Sequence, residues 1–449
     1  MKGMIGLEIH VYLVTKEKLF CRCRASREKG LKPNTLVCPI CTGMPGAKPM
    51  LPNEEAVRKA IQIALMLNCK VNEEFYWQRK HYDWPDLPKG YQNTISGANA
   101  IPVGVDGEFF GIKVDSMHLE EDPASWEPST GKVDYNRSGI PLVEIVTAPD
   151  FTFSEEVVEW LKKLVHTLSY LKAADKNAGV KVDVNVNIPG KTERVEIKNV
   201  NSFENIKRAI EVELERQAVE GSVRETRRFD DKKGKTIRMR GKEDAMDYRF
   251  IREPDLPGVK VDKRFIDDLR KSLPESPYDK LDRMIKKYKL RDSDAEVLTK
   301  NIDIAEFFEK VAEKVGADFA VSWVNVELLR VLNYNKKSFD EVNIKEDHFV
   351  RLLEMVKSGK VTELQAKQIL NKFVPSSFDP SNTKGKIDDA SELRKVIEKV
   401  IRSNSKAVSD YKNGDSNALN FLMGQVMKET ERRADYKVAK RILEEVLVK

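Results

Sequence analysis

No apolar run in the 449 residues approaches the length needed to span a bilayer, and 33% of positions are charged, so a soluble chain is expected. The stretch from Met1 to Val14 also lacks the apolar core of a secretory leader, because Glu8 and His10 interrupt it. A cytoplasmic protein without membrane contact is the expectation. Cysteine is scarce, five in all, and four of them crowd between positions 21 and 41, which does not resemble a secreted disulfide framework. GKT occurs at 190 to 192 and at 234 to 236, but Asn185 and Phe229 stand where a P-loop needs its first glycine. GxGxxG, HExxH and GxSxG are missing, as is the Gly/Ser-rich pattern of a serine amidase. Any ATP chemistry must therefore run without a Walker loop, and the chain alone is not expected to release ammonia from glutamine. Excess charge of one sign is missing too. Lys+Arg 78 against Asp+Glu 72 leaves +6, a mildly basic surface compatible with RNA without proving it.

What is present centres on residues 182 to 200, VDVNVNIPGKTERVEIKNV, which read as a β-hairpin with one wholly polar face. A four-residue PGKT loop predicts Val186 opposite Val195 and Val184 opposite Ile197. The same register sets Asn187 against Arg194, Asn185 against Glu196 and Asp183 against Lys198. Asp and Asn are poor strand formers, so their alternation on one face needs another reason. A rigid metal-phosphate site would supply one, and a solvated sheet face would share the composition. GLEIHVYLVT, residues 6 to 15, alternates likewise, with Glu8 and His10 on one face.

Cys21, Cys23, Cys38 and Cys41 form a CxC and a CxxC held apart by a loop, the arrangement a tetrahedral structural zinc requires. Uncoordinated thiols are the alternative, and Cys69 reads as a core thiol. RKHYDWPDLPKGYQ, residues 79 to 92, gathers Lys80, Tyr82, Lys89 and Tyr91 in a proline-stiffened loop suited to an active site or to a surface crossover. HLEED, residues 118 to 122, places three carboxylates in a row. In a strand Glu120 and Asp122 face one way and Glu121 the other. PLVEIV reads as a buried strand, and Thr152 with Glu155 as a capping box for a following helix.

Strand-like alternation stops near residue 265, which predicts an α+β domain over 1–265. A helical domain over 266–378 and a three-helix tail over 379–449 follow, joined through a Pro/Ser/Gly-rich linker at 372 to 389. The tail gathers Arg432, Arg433, Lys437, Lys440 and Arg441, a pattern that suits phosphates or merely keeps a helix soluble.

Taken together, the motifs resemble the B subunits of the aspartyl/glutamyl-tRNA amidotransferases. They are IGLEIHVYL, KLFCRC with VCPICTGMPGA, DLPKGYQ, HLEED, VDYNRSGIPLVEIV, RVEIKNVNSF, TRRFD with MRGKEDAMDYRF, EPDLP and FLMGQVMKET, in one order along the whole chain. The related E subunits carry a large inserted domain for which 449 residues leave no room. The resemblance implies an N-terminal cradle with antiparallel sheets, akin to glutamine synthetase and the guanidino kinases, followed by all-α helical and tail domains. It implies ATP-dependent phosphorylation of the side-chain carboxylate of Glu or Asp misacylated on tRNA. Ammonia from an amidase-type A subunit then attacks, in a heterotrimer completed by a small C subunit. By the same resemblance Glu8, His10, Glu120, Glu121, Asp183 and Glu196 are the magnesium set, with Lys198 beside them, and Lys80, Tyr82, Lys89 and Tyr91 line the ammonia path. The four cysteines hold zinc, and Arg432, Arg433 and Lys437 touch tRNA. Lys181 departs from the pattern, standing where the family commonly has an arginine. Two other readings compete: a zinc-stabilised RNA-binding protein without catalysis, and a ligase or kinase for a free small molecule. Carboxylates on strands argue against the first, since pure RNA binders need cations and aromatics.

Overall fold

Period-two alternation turns one face of each long strand into core and leaves the other polar. The computed structural model describes residues 2–28, 30–82, 84–97, 100–175, 180–241 and 249–448, so most of the MRGKEDAMDYRF motif lies outside the described residues. β1 (Met4–Tyr12) buries Ile5, Leu7, Ile9 and Val11 on one face and turns Glu8 and His10 to the other. The strands of four or more residues joining it in one sheet are β2 (Gln78–His81), β3 (Tyr91–Thr94), β4 (Gly104–Phe109), β5 (Ile112–Glu121) and β6 (Pro141–Thr147), then β7 (Val180–Asn187), β8 (Val195–Val200), β9 (Glu225–Asp230), β10 (Lys235–Gly241) and β11 (Arg249–Arg252). Across the sheet they run β10-β9-β8-β7-β1-β6-β5-β3-β2-β11, and β4 also pairs with β5.

The pairs just named are antiparallel except one. β8 and β9 run parallel, with Val195 beside Glu225, so the sheet is mixed where an antiparallel one was expected. A parallel pair needs a long crossover, and the helix between those strands supplies it. Among the described residues four helices belong to this unit: α1 (Glu54–Met66), α2 (Ser154–Tyr170), α3 (Phe203–Glu220) and α4 (Lys263–Ser272). In α2 the stripe Val157, Trp160, Leu161, Leu164 and Leu168 is buried, and Trp160 Nε1 donates to the Phe109 carbonyl at 2.7 Å. Each such side chain contributes about 1.5–3 kcal/mol on burial. The start of α2 differs from expectation. Glu156 accepts the backbone N–H groups of Thr152 and Phe153 at 2.9 and 3.2 Å, while Glu155 pairs with Lys207. Residues from α1, α2, α3 and α4 share one apolar cluster with the inward faces of β1, β5, β6 and β7, so the opposite sheet face is left for polar groups.

In the hairpin the ladder joins Val186 to Val195, Asn185 to Glu196 and Val184 to Ile197, then slips at a bulge so that Val182 meets Val200. Asn187 and Arg194 are not ladder partners, because the turn is wider than PGKT. The Thr192 hydroxyl accepts the Ile188 N–H at 2.8 Å and closes it.

The compact unit runs from Met1 to Ser276, past the boundary expected at 265, since Ile266 and Leu269 of α4 enter its core. A second unit, Pro277–Lys449, is helical. Its larger core gathers Phe308, Val324, Phe349, Leu353 and Phe373, and a separate one gathers Leu393, Ile397, Leu422, Val426 and Leu443. The second core belongs to four helices rather than three, Ser405–Lys412 being added to Ala390–Ser403, Ser416–Glu429 and Tyr436–Val448. The Pro/Ser-rich stretch between them is anchored, with Phe373 fully buried and the Ile387 N–H bonded to the Arg433 carbonyl at 2.8 Å. No helix among the described residues is long and apolar enough to cross a membrane.

Candidate active site

Three strands build the polar face. Glu8 of β1 lies opposite Asp183 of β7, and Asn185, two residues on, lies opposite Glu196 of β8. Carboxylate oxygens of Glu8, Asp183 and Glu196 come within 4.8 Å of one another. Asn185 Nδ2 donates to Glu8 at 3.0 Å, the Thr226 hydroxyl donates to Glu196 at 3.0 Å, and Lys198 Nζ reaches Asp183 at 2.7 Å and Glu196 at 2.5 Å. Like charges about 4 Å apart repel by about 4 kcal/mol at an effective dielectric near 20, so three carboxylates against one ammonium leave a strong demand for further positive charge. Burial raises the pKa of Glu8. Burial also opposes the charge of Lys198, yet Asp183 and Glu196 hold its pKa above the ordinary lysine value. An octahedral ion with bonds near 2.0–2.1 Å separates its oxygens by roughly 2.9 to 4.2 Å, so this all-oxygen trio fits magnesium with small side-chain adjustments.

A second cluster lies beside the first. His10 Nε2 is 3.6 Å from Glu144 and 3.8 Å from Glu120, whose other oxygen accepts from the Thr94 hydroxyl at 3.0 Å. Burial and the nearby Glu144 charge push Glu120 up to about 7. Glu144, although buried, is held at about 2 by His10, and His10, against its own burial, is raised to about 9 by Glu144. Glu144 escapes the sequence reading because PLVEIV looks like a buried strand. Its signal is the lone charge in an apolar run, at the position opposite His10 in the register.

Glu121 does not join either cluster. The strand turns it away from Glu120, and it forms an ion pair with Lys89 and accepts the Asn93 N–H at 2.9 Å. Register divides the loop residues as well. Lys80 pairs with Gln92, whereas Tyr91 pairs with His81 and lies under the Arg79 guanidinium at 4.5 Å and near Lys89 at 5.2 Å. Lys80 and Tyr91 therefore occupy opposite sheet faces, and Tyr82 follows just past the end of β2. Burial pushes the Tyr91 phenol up to about 12. Lys181, the departure from the family pattern, has its ammonium 3.1 Å from the Tyr12 hydroxyl.

The thiols of Cys21, Cys23, Cys38 and Cys41 all lie within 4.8 Å of one another, with Cys41 Sγ 4.0 Å from Cys23 and 3.9 Å from Cys38. A tetrahedron of 2.3 Å zinc–sulfur bonds has edges of about 3.8 Å, so the thiols fit that ion. Hydrogen bonding from Cys21 draws Cys41 down to about 4, and burial pushes Cys23 up to about 12. The buried Lys18 ammonium adds positive charge 3.5 Å from Cys41. In the second unit Arg432 is exposed at the turn before the last helix, Lys437 is exposed in the first turn of that helix, and Arg433 is half-buried.

Residues 3–267 match the family described as the GatB/GatE catalytic domain, and residues 306–447 match the GatB domain. The chain is 43% identical to the B subunit of the aspartyl/glutamyl-tRNA(Asn/Gln) amidotransferase of Methanocaldococcus jannaschii, over 100% of this chain and 98% of that protein. It is 42% identical to the protein of the same description from Methanopyrus kandleri, over 99% and 98%. For that of Methanothermobacter thermautotrophicus the figures are 44%, 96% and 97%. The chain belongs to the family of aspartyl/glutamyl-tRNA(Asn/Gln) amidotransferase B subunits.

Proposed function

We propose that this chain activates and amidates the side-chain carboxylate of Glu or Asp misacylated on tRNA-Gln or tRNA-Asn, within a heterotrimer that includes an amidase-type A subunit and a small C subunit. The observation that carries the reading is the trio Glu8, Asp183 and Glu196 with Lys198 among them. A carboxylate is inert to ammonia until one oxygen becomes a leaving group. Its oxygen attacks the γ-phosphorus of ATP, ADP departs, ammonia adds to the acyl carbon, phosphate leaves, and a proton is lost. Magnesium bound at Glu8, Asp183 and Glu196 would neutralise charge on the transferring phosphoryl group, with His10, Glu120 and Glu144 gathered beside it. Lys198, held by Asp183 and Glu196, contributes a fixed cation beside the same oxygens, and Asn185 orients Glu8. Lys89 and Tyr91, with Glu121, would border the route of ammonia on one sheet face, and Lys80 and Tyr82 the approach on the other. Zinc held by Cys21, Cys23, Cys38 and Cys41 would brace the insertion next to the site.

The purified chain, given misacylated Asp-tRNA or Glu-tRNA, ATP and ammonium chloride, should form Asn-tRNA or Gln-tRNA and ADP. With glutamine as the sole nitrogen source it should form neither product amide nor glutamate. Misacylated tRNA that stimulates no ADP release would overturn the reading.

The exposed cations Arg432 and Lys437, with Arg433, support assigning the tail to tRNA backbone contact. Removing residues 390 to 449 should raise the KM for aminoacyl-tRNA and flatten its salt dependence, with ATP affinity unchanged. Equal tRNA affinity in the shortened and full chains would give the tail another role.

A further inference from the structure

Glu196 is the carboxylate of the trio whose aim depends on the outer strands of the sheet. β8, which carries it, pairs on its far side with β9, and among the described residues only the edge strand β10 lies beyond. The β8–β9 ladder is parallel and short, joining Val195 to Glu225, Glu196 to Thr226, Ile197 to Arg227 and Lys198 to Arg228. Parallel pairing is the less stable kind. A slip of one residue would turn Thr226 to the helix-covered side and bring Glu225 or Arg227 against Glu196.

The register is held from behind. Glu225 and Arg227, on either side of Thr226, belong to a polar network around Glu213 of α3, which is 0% exposed. Glu213 accepts two bonds from the Arg216 guanidinium at 3.1 and 2.6 Å, one from Gln217 at 2.9 Å and one from the Thr236 hydroxyl of β10 at 2.5 Å, and it lies 3.5 Å from Arg227. Arg227 in turn bonds Glu225 at 2.7 Å and the Thr236 hydroxyl at 2.9 Å. Gln217 donates to the Val186 carbonyl at 3.2 Å and accepts from the Thr192 hydroxyl at 2.6 Å, so the same network grips the turn of the hairpin that carries Asp183 and Glu196. On the polar side the outcome is one hydrogen bond: the Thr226 hydroxyl donates to Glu196 Oε2 at 3.0 Å, while Lys198 holds Oε1 at 2.5 Å.

We propose that Thr226 is a positioning residue for the metal ion of the trio: its hydroxyl holds the Glu196 carboxylate towards Glu8 and Asp183, and the Glu213 network behind β9 holds Thr226. A glutamate side chain gives up rotamer freedom when it takes an ion, and one already ordered gives up less. Threonine suits the task because its branched side chain is stiff, so the strand itself delivers the hydroxyl. This inference rests on the metal reading of Glu8, Asp183 and Glu196 proposed above and adds the residue that sets the ion's affinity.

The test compares wild-type chain with Thr226→Val, which keeps the branched shape and removes the donor. Titration with Mn2+ alone, followed by electron paramagnetic resonance, should show about tenfold weaker binding, the effect of one hydrogen bond to a charged group. The magnesium concentration for half-maximal ADP release should rise by the same factor, with kcat at saturating magnesium within about threefold of wild type. Thr226→Ser, which restores the hydroxyl, should bind Mn2+ within about twofold of wild type. Unchanged Mn2+ affinity in Thr226→Val, or a loss of rate that added magnesium does not recover, overturns the proposal. Should Thr226→Val fail to fold, Thr226→Ala decides, equal Mn2+ affinity in Thr226→Ala and Thr226→Ser overturning it. Wild-type chain whose Mn2+ affinity is untouched by Asp183→Asn would instead sink the metal reading itself, whatever Thr226 does.

Discussion

Asp183→Asn should retain the fold and lose about three orders of magnitude in the rate of carboxylate activation, because removing charge at a transferring phosphoryl group raises the barrier by several kcal/mol. The amide keeps the shape of the side chain. It loses the charge that pairs with Lys198 and that would hold a divalent ion with Glu8 and Glu196. ADP release dependent on misacylated tRNA, with hydroxylamine to trap the activated carboxylate, measures the step. Val184→Ala is the control: Val184 points into the core from the same strand and is fully buried, so it should lower stability through a cavity and spare the rate of folded enzyme. Near-normal ADP release from Asp183→Asn would make the polar face a wet sheet surface and move phosphorylation elsewhere.

The second large effect concerns the cysteine cluster. Elemental analysis should return about one zinc per chain, and Cys38→Ser should lose it together with about 3–5 kcal/mol of stability, a fall of roughly 10 °C in Tm. The hydroxyl cannot replace a thiolate at a site whose sulfurs are spaced for one ion. Cys69→Ser should keep the metal, since Cys69 is buried beside Gly104 and Gly107, outside the cluster. Wild-type protein that is fully folded and metal-free would refute the assignment.

How far the chain could be read follows from the kind of regularity each part has. Glu8, Asp183 and Glu196 stood out because polar residues on alternate positions are conspicuous against β-branched neighbours, and the ladder from Val184 to Val186 aligns them as that alternation requires. The four cysteines were legible from spacing alone, since chain proximity within each pair already brings the thiols near one another. Glu144 was not, because a single carboxylate among Leu142, Val143, Ile145 and Val146 is indistinguishable from an exposed position until the β1 register places it opposite His10. Local parity does separate Glu120 from Glu121, yet it does not say which of them faces His10. That depends on β3 and β6 lying on either side of β5. The parallel pairing of β8 with β9 and the capture of α4 by the first core are long-range choices, decided by packing between segments far apart in sequence.

β1 supplies Glu8 to one acidic cluster and His10 to the other, and it is hydrogen-bonded along its length to β6 on one side and β7 on the other. Two residues of strand advance about 6.6 Å. Sliding that strand would break two ladders at once, so the interval between the clusters behaves as a fixed gauge. The two clusters are therefore held apart by backbone rather than by side-chain choice, and any change in their separation would require the sheet itself to deform.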